Sequence, residues 1–183
     1  MTIDPERIHR MLNPKSVVVV GDKGPNFQWL TNQKEFDGPL YSVQLDPNEI
    51  KGIEERGFTN FTSLADVPGA PDLLICAVPR QVTPRIVQDA IAKGIGGIAM
   101  FTAGFAETQE ELGIELQERI VAMATEAGMP IVGPNCMGIY NRRLGIRFGA
   151  GMMHADGGNI GVMSQSGSHA AGITHCLLYT SDA

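Results

Sequence analysis

The chain has 183 residues, of which 43% are hydrophobic and 19% charged, the profile of a globular protein long enough for one domain and the start of another. Its net charge of -6 and pI near 5.1 argue against a nucleic-acid surface, and Arg142-Arg143 is the only adjacent Lys/Arg pair. No secretory signal and no apolar run near the ~18 residues of a membrane span is visible, so a cytoplasmic, reducing setting is expected, with no membrane partner.

In chain order, Asp4 and Pro5 begin a helix through Met11. The nearly all-valine run at 16–20 reads as a central strand covered on both faces. A short helix is expected over 27–34, a strand over 40–44 and a helix over 47–56 ending at Gly57. Residues 73–78 form the next strand, with Cys76 as a buried core thiol. A helix over 83–93 stops at Gly94, a C-cap glycine. A strand over 97–101 precedes a long helix to Ala127. Thr108 and Glu111 read as that helix's capping box, and Leu112, Leu116, Ile120 and Met123 as its buried stripe. Residues 130–132 close the series as a strand. Such alternation implies a Rossmann-like doubly wound α/β fold with a parallel sheet.

The pattern changes beyond Val132. Residues 141–158 are glycine-rich and lack helical periodicity, 159–163 read as a new strand, and a helix comes next. We expect a domain over 1–150, the truncated start of a second α/β domain over 158–175, and a tail over 176–183 that is non-native or disordered.

The turns after the strands carry the candidate chemistry. Gly21-Asp22-Lys23-Gly24-Pro25-Asn26-Phe27-Gln28 can offer backbone N–H groups to phosphate, with Lys23 adding charge, or be an ordinary βα turn. Asp46 stands 25 residues after Gly21. It can bind the ribose of a nicotinamide cofactor, or simply start a helix at Asp-Pro. Arg80, after Val78-Pro79, either meets a phosphate or faces solvent. Thr102-Ala103-Gly104-Phe105 leaves space at the sheet edge.

Gly133-Pro134-Asn135-Cys136-Met137-Gly138 crowds two glycines, a proline, an amide and a thiol into one turn. Cys136 reads as a nucleophile, a small buried hydrophobe or the marker of a ligand's reactive end. Asn135 is the stronger candidate, because its amide donates and accepts. Ser164-Gln165-Ser166-Gly167-Ser168 can cradle phosphate at a helix start or only cap it. The spacing of the histidines and of the three cysteines matches no metal site.

Taken in order, these turns resemble the nucleoside-diphosphate-forming acyl-CoA synthetases, relatives of the succinyl-CoA synthetase α subunit. The stretches that carry the resemblance are Asn13-Pro14-Lys15-Ser16-Val17, the 21–28 turn, Ala77-Val78-Pro79, Thr102-Ala103-Gly104-Phe105-Ala106-Glu107, Gly133-Pro134-Asn135-Cys136-Met137-Gly138 and Ser164-Gln165-Ser166-Gly167, spanning about 13–172. The resemblance implies a CoA-binding Rossmann-like domain followed by the start of a flavodoxin-like domain. It implies that Gly21, Asp22, Lys23 and Gln28 hold the nucleotide end of CoA. Val78, Pro79, Arg80, Thr102, Ala103, Gly104 and Asn135 line its path, and Cys136 lies near its thiol. Ser164, Ser166, Gly167 and Ser168 would meet phosphate.

The family passes a phosphoryl group from a nucleoside triphosphate to a histidine and then to a carboxylate, and CoA displaces it. His154 does not fit that role and no other histidine here does, so no catalytic residue is assigned and the chain is expected to bind CoA without turnover. ATP or ADP and Mg would enter only through a missing ATP-grasp domain or subunit. Partners are then CoA and a carboxylate substrate, with homo-oligomerisation open. Asp46 stands where the family often has Asn, and its charge would repel a nearby phosphate. An NAD(P)-binding oxidoreductase domain and a CoA-sensing domain of a fused acetyltransferase are the alternatives.

Overall fold

A computed structural model describes residues 4–180, with side chains described through Thr174. Six strands form one sheet in the order β3-β2-β1-β4-β5-β6, every neighbouring pair parallel. They are β1 (Val17–Val20), β2 (Leu40–Val43), β3 (Thr59–Phe61), β4 (Leu73–Cys76), β5 (Gly97–Met100) and β6 (Ile131–Val132). The connecting helices are α1 (Pro5–Leu12), α2 (Gln28–Asn32), α3 (Pro47–Glu54), α4 (Thr83–Lys93) and α5 (Glu111–Glu126), and α6 (Gly167–Thr180) comes after the sheet. This is the doubly wound Rossmann-like order, whose turns after the strand C-termini share one edge.

The period-two side-chain alternation of β1 builds two cores. Val18 and Val20 pack with Leu74, Cys76, Ile98 and Met100 beneath α4 and α5. Val17 and Val19 pack with Leu73, Ile75 and Ala99 against Met11, Trp29, Leu30 and Ile53. The glycine-rich segment after β6 completes this second core with Ile146, Phe148 and Met152, all buried. Its anchor is Gln33, fully buried, which donates to the Arg147 carbonyl at 2.5 Å and accepts the Arg147 N–H at 2.9 Å.

The structure departs from expectation at five places. β3 is an additional edge strand, too short and polar to stand out as Thr59-Asn60-Phe61. The helix expected over 27–34 is shorter. α5 begins at Glu111 with Glu110 as its N-cap, because Gln109 takes a left-handed conformation (φ 61°) and separates Thr108 from the helix. Thr108 instead bonds the Phe105 carbonyl and the Glu110 N–H. Of the expected stripe only Leu112 fails, at 45% exposed; Ile120 is buried and Leu116 and Met123 pack against the core, with Gly113 and Ala124 buried beside them. Residues 159–163 form no strand. Ile160, Val162 and Met163 are exposed at 79%, 50% and 100%, since no described sheet edge pairs with them. The helix expected after them is α6, which runs on through Thr180; the side chains of 175–183, including His175 and Cys176, lie outside the described residues.

Candidate functional site

The C-terminal edge of the sheet gathers the turns after β1, β4, β5 and β6. Gly21 leaves β1 with φ 81°, and a Cβ there would lie 2.5 Å from Val78 Cγ1. A larger residue would push apart the turns after β1 and β4. Asp22, 3% exposed, points inward and accepts the N–H groups of Lys23 at 3.0 Å and Leu30 at 2.8 Å. It therefore shapes the turn, and its carbonyl accepts from Gln44 Nε2 at 2.8 Å. Burial holds its carboxyl above the ordinary 3.8, against the lowering effect of backbone N–H groups of Leu30, Lys23 and Trp29. Lys23 and Gln28 are exposed.

Asp46 is the N-cap of α3, its carboxylate accepting the Asn48 N–H at 2.9 Å. That is the helix-start reading of Asp-Pro.

Between β4 and β5, Thr102 donates its hydroxyl to the Val78 carbonyl at 2.7 Å while 8% exposed. Arg80 neither floats in solvent nor stands free. Its Nη1 donates to the Gly104 carbonyl at 2.5 Å, and its Nη2 lies 2.6 Å from Glu110 Oε2. Glu107 accepts the N–H groups of Gly104 at 2.7 Å and Phe105 at 3.0 Å. These bonds fix the 102–110 loop, and Ala103 stays exposed on it.

The 133–138 turn docks by its backbone. Asn135 N–H donates to the Thr102 carbonyl at 2.9 Å, and Cys136 N–H to the Met100 carbonyl at 3.2 Å. Gly133 holds φ 119°, and a Cβ there would meet the Met100 carbonyl oxygen at 2.5 Å. Asn135, at φ 51°, keeps its side chain exposed; asparagine tolerates that conformation better than most residues. Cys136 is half-buried. It lines a cavity of about 10 Å³ with Trp29, Ile75, Phe101 and Phe148, room for a single water at most. Burial pushes the Cys76 thiol, on the opposite face, up to about 11.

α6 starts against this same turn, where a Cβ at Gly167 would lie 2.6 Å from Met137 Cγ. Ser166 Oγ accepts the His169 N–H at 3.3 Å and Ser164 Oγ the Ser166 N–H at 3.1 Å, so both hydroxyls already cap their own segment. Ser168 is exposed in the first turn. His9 is exposed as well, and His154 Nε2 lies 3.2 Å from the Arg143 carbonyl.

The structure thus brings the residues of 21–28, 78–80, 102–104 and 135–136 to one edge and sets the 164–168 turn beside it. Sequence reasoning missed Glu49, Glu107 and Gln44, whose side chains hold the backbone of these turns. A signal for one of them was present: Asp46 and Glu49 have capping-box spacing. Among the described residues no group of three or more His, Cys, Asp or Glu gathers as a metal site. No described helix is long and apolar enough to cross a membrane.

Residues 15–142 match the family model described as CoA binding domain. Over 168 residues the chain is 33% identical to the acetate–CoA ligase [ADP-forming] II subunit alpha of Pyrococcus furiosus, covering 89% of this chain and 35% of that one. It is 34% identical to trans-feruloyl-CoA synthase FCS1 of an unknown prokaryotic organism, covering 94% of this chain and 25% of that one. Among solved structures, PH0766 from Pyrococcus horikoshii OT3 superposes with a TM-score of 0.77 at 30% identity, over 92% of this chain and 38% of that one. The chain spans about a third or less of the length of these curated relatives.

Proposed function

The chain belongs to the CoA binding domain family, and from that premise we propose that it is the CoA-binding portion of an NDP-forming acyl-CoA synthetase and binds CoA without turnover. The observation that supports this most is the convergence of the 21–28, 102–104 and 133–138 turns on one sheet edge, with backbone bonds joining Asn135 to Thr102 and Cys136 to Met100. On this reading, Gly21, Asp22 through its backbone, Lys23 and Gln28 receive the nucleotide end of CoA. Val78, Pro79, Thr102, Ala103 and Gly104 flank its path. Arg80 acts by positioning Gly104 through its carbonyl bond. Asn135 offers its exposed amide, and Cys136 lies beside the thiol end.

The chain's own residues bind and orient; the phosphorylated histidine, the ATP or ADP and Mg sites and part of the carboxylate pocket belong to other segments or subunits of the synthetase. Ser164, Ser166, Gly167 and Ser168 would open the next domain, where the N-terminus of α6 faces the phosphoryl group in transfer. The two curated relatives carry different acids in their names, acetate and trans-ferulate. On this reading the choice of acid rests in part with segments outside this chain.

Calorimetric titration of the chain with CoA and with NAD tests the reading. Saturable binding of CoA and none of NAD is expected. Binding of NAD without CoA would overturn it in favour of an oxidoreductase domain.

A further inference from the structure

Carboxylates of the chain itself occupy backbone N–H groups in the turns of the sheet edge. Two act locally. Asp22 is buried within its own turn, and Glu107 holds Gly104 and Phe105, three and two residues away. Glu49 differs: its Oε2 accepts the Gly24 N–H at 2.8 Å from another element, 25 residues along the chain.

Its helix explains why it is available. Glu49 is the third residue of α3, and with Asp46 as N-cap it would ordinarily fold back onto the Asp46 N–H. Gln44 Oε1 already takes that N–H at 3.2 Å, together with the Leu45 N–H at 2.8 Å. Glu49 is thereby released to cross to the turn after β1. The neighbouring cations are engaged elsewhere: Lys51, the cation of α3, lies 3.9 Å from Glu55 Oε1, and Arg56 follows the helix. Arg56 donates to the Gly52 and Pro25 carbonyls and lies 4.8 Å over the Phe27 ring.

We infer that Glu49 is a built-in competitor for the anionic groups of the ligand. It fills the Gly24 amide with a carboxylate of the chain, and a phosphate entering the 21–28 turn must displace it against like charge. The inference rests on the CoA reading above and adds to it an affinity-setting residue. Gly24 is exposed and Glu49, half-buried, belongs to neither core, so Glu49 can swing into water without unpacking one. Asp22 has no such freedom.

The test is calorimetry of wild type, Glu49→Gln and Glu49→Ala with CoA and with pantetheine, which lacks phosphates. Thermal melts establish that each variant is folded, and Glu49→Gln carries the test should Glu49→Ala not fold. CoA is expected to bind both variants at least threefold tighter than wild type, with pantetheine binding unchanged. Equal or weaker CoA binding by the folded variants overturns the inference while leaving the CoA reading intact. So does a gain shared equally by pantetheine, since that would be a structural effect. Absence of CoA binding to all three proteins overturns the CoA reading, and the inference with it.

Discussion

Cys136 is held by its backbone, through the N–H bond to the Met100 carbonyl, and lines a cavity too small for a ligand. A thiol in that place marks a surface rather than performing a step. Cys136→Ser is therefore expected to leave CoA affinity within threefold of wild type by calorimetry. A loss beyond tenfold, about 1.4 kcal/mol, would give the thiol a direct contact. Residue by residue, the sequence is informative where a side chain's own chemistry decides its place. Cys76 sits fully buried in the strand that its apolar neighbours announce. The sequence is silent where a distant partner decides. Arg80 reads locally as meeting phosphate or solvent, and its guanidinium is instead engaged by Gly104 and Glu110, 24 and 30 positions away. Asp46 keeps the helix-start role that its neighbour Pro47 favours.

At the scale of elements, strands buried on both faces are legible because their apolar runs leave few alternatives. β3 is not, since an edge strand of Thr, Asn and Phe has little burial to advertise. The stretch 159–163 fails in the opposite sense: its apolar residues suit a strand, but pairing needs a neighbour that no local pattern supplies. α5 shows how packing can reverse a local preference. Replacing a helical glycine by alanine ordinarily stabilises by roughly 0.8–1 kcal/mol. A Cβ at Gly113, however, would lie 2.5 Å from the Phe105 carbonyl oxygen. Gly113→Ala is expected to destabilise by about 1–3 kcal/mol, the cost of overpacking, as measured by urea unfolding. A gain in stability would mean that α5 can slide off the 102–110 loop.

The whole molecule depends on a segment that the sequence presents as loop. Residues after the 133–138 turn return across the sheet, bury Ile146, Phe148 and Met152, and are anchored by Gln33. No periodicity marks this return, because what anchors it is distant in the chain, Gln33 lying 114 positions before Arg147. Each of those side chains stabilises by about 1.5–3 kcal/mol when fully buried. A chain ending at Gly138 should therefore lose most of its cooperative unfolding transition. A chain ending at Gly157 keeps the segment and should unfold within about 1 kcal/mol of the full chain, since the described residues of 158–174 that it loses are mostly exposed. Equal stability of the two truncations would refute this account.

Trp29 is the chain's sole tryptophan, and its ring centroid lies 4.5 Å from that of Phe101, at the wall behind Cys136. Every excited indole in the sample is then the same indole, looking onto the same few ångströms of the sheet mouth. The protein carries its own optical gauge, so ligand entry at the sheet mouth and the loss of the returning segment can each be followed in unlabelled protein by the colour and yield of one emission band.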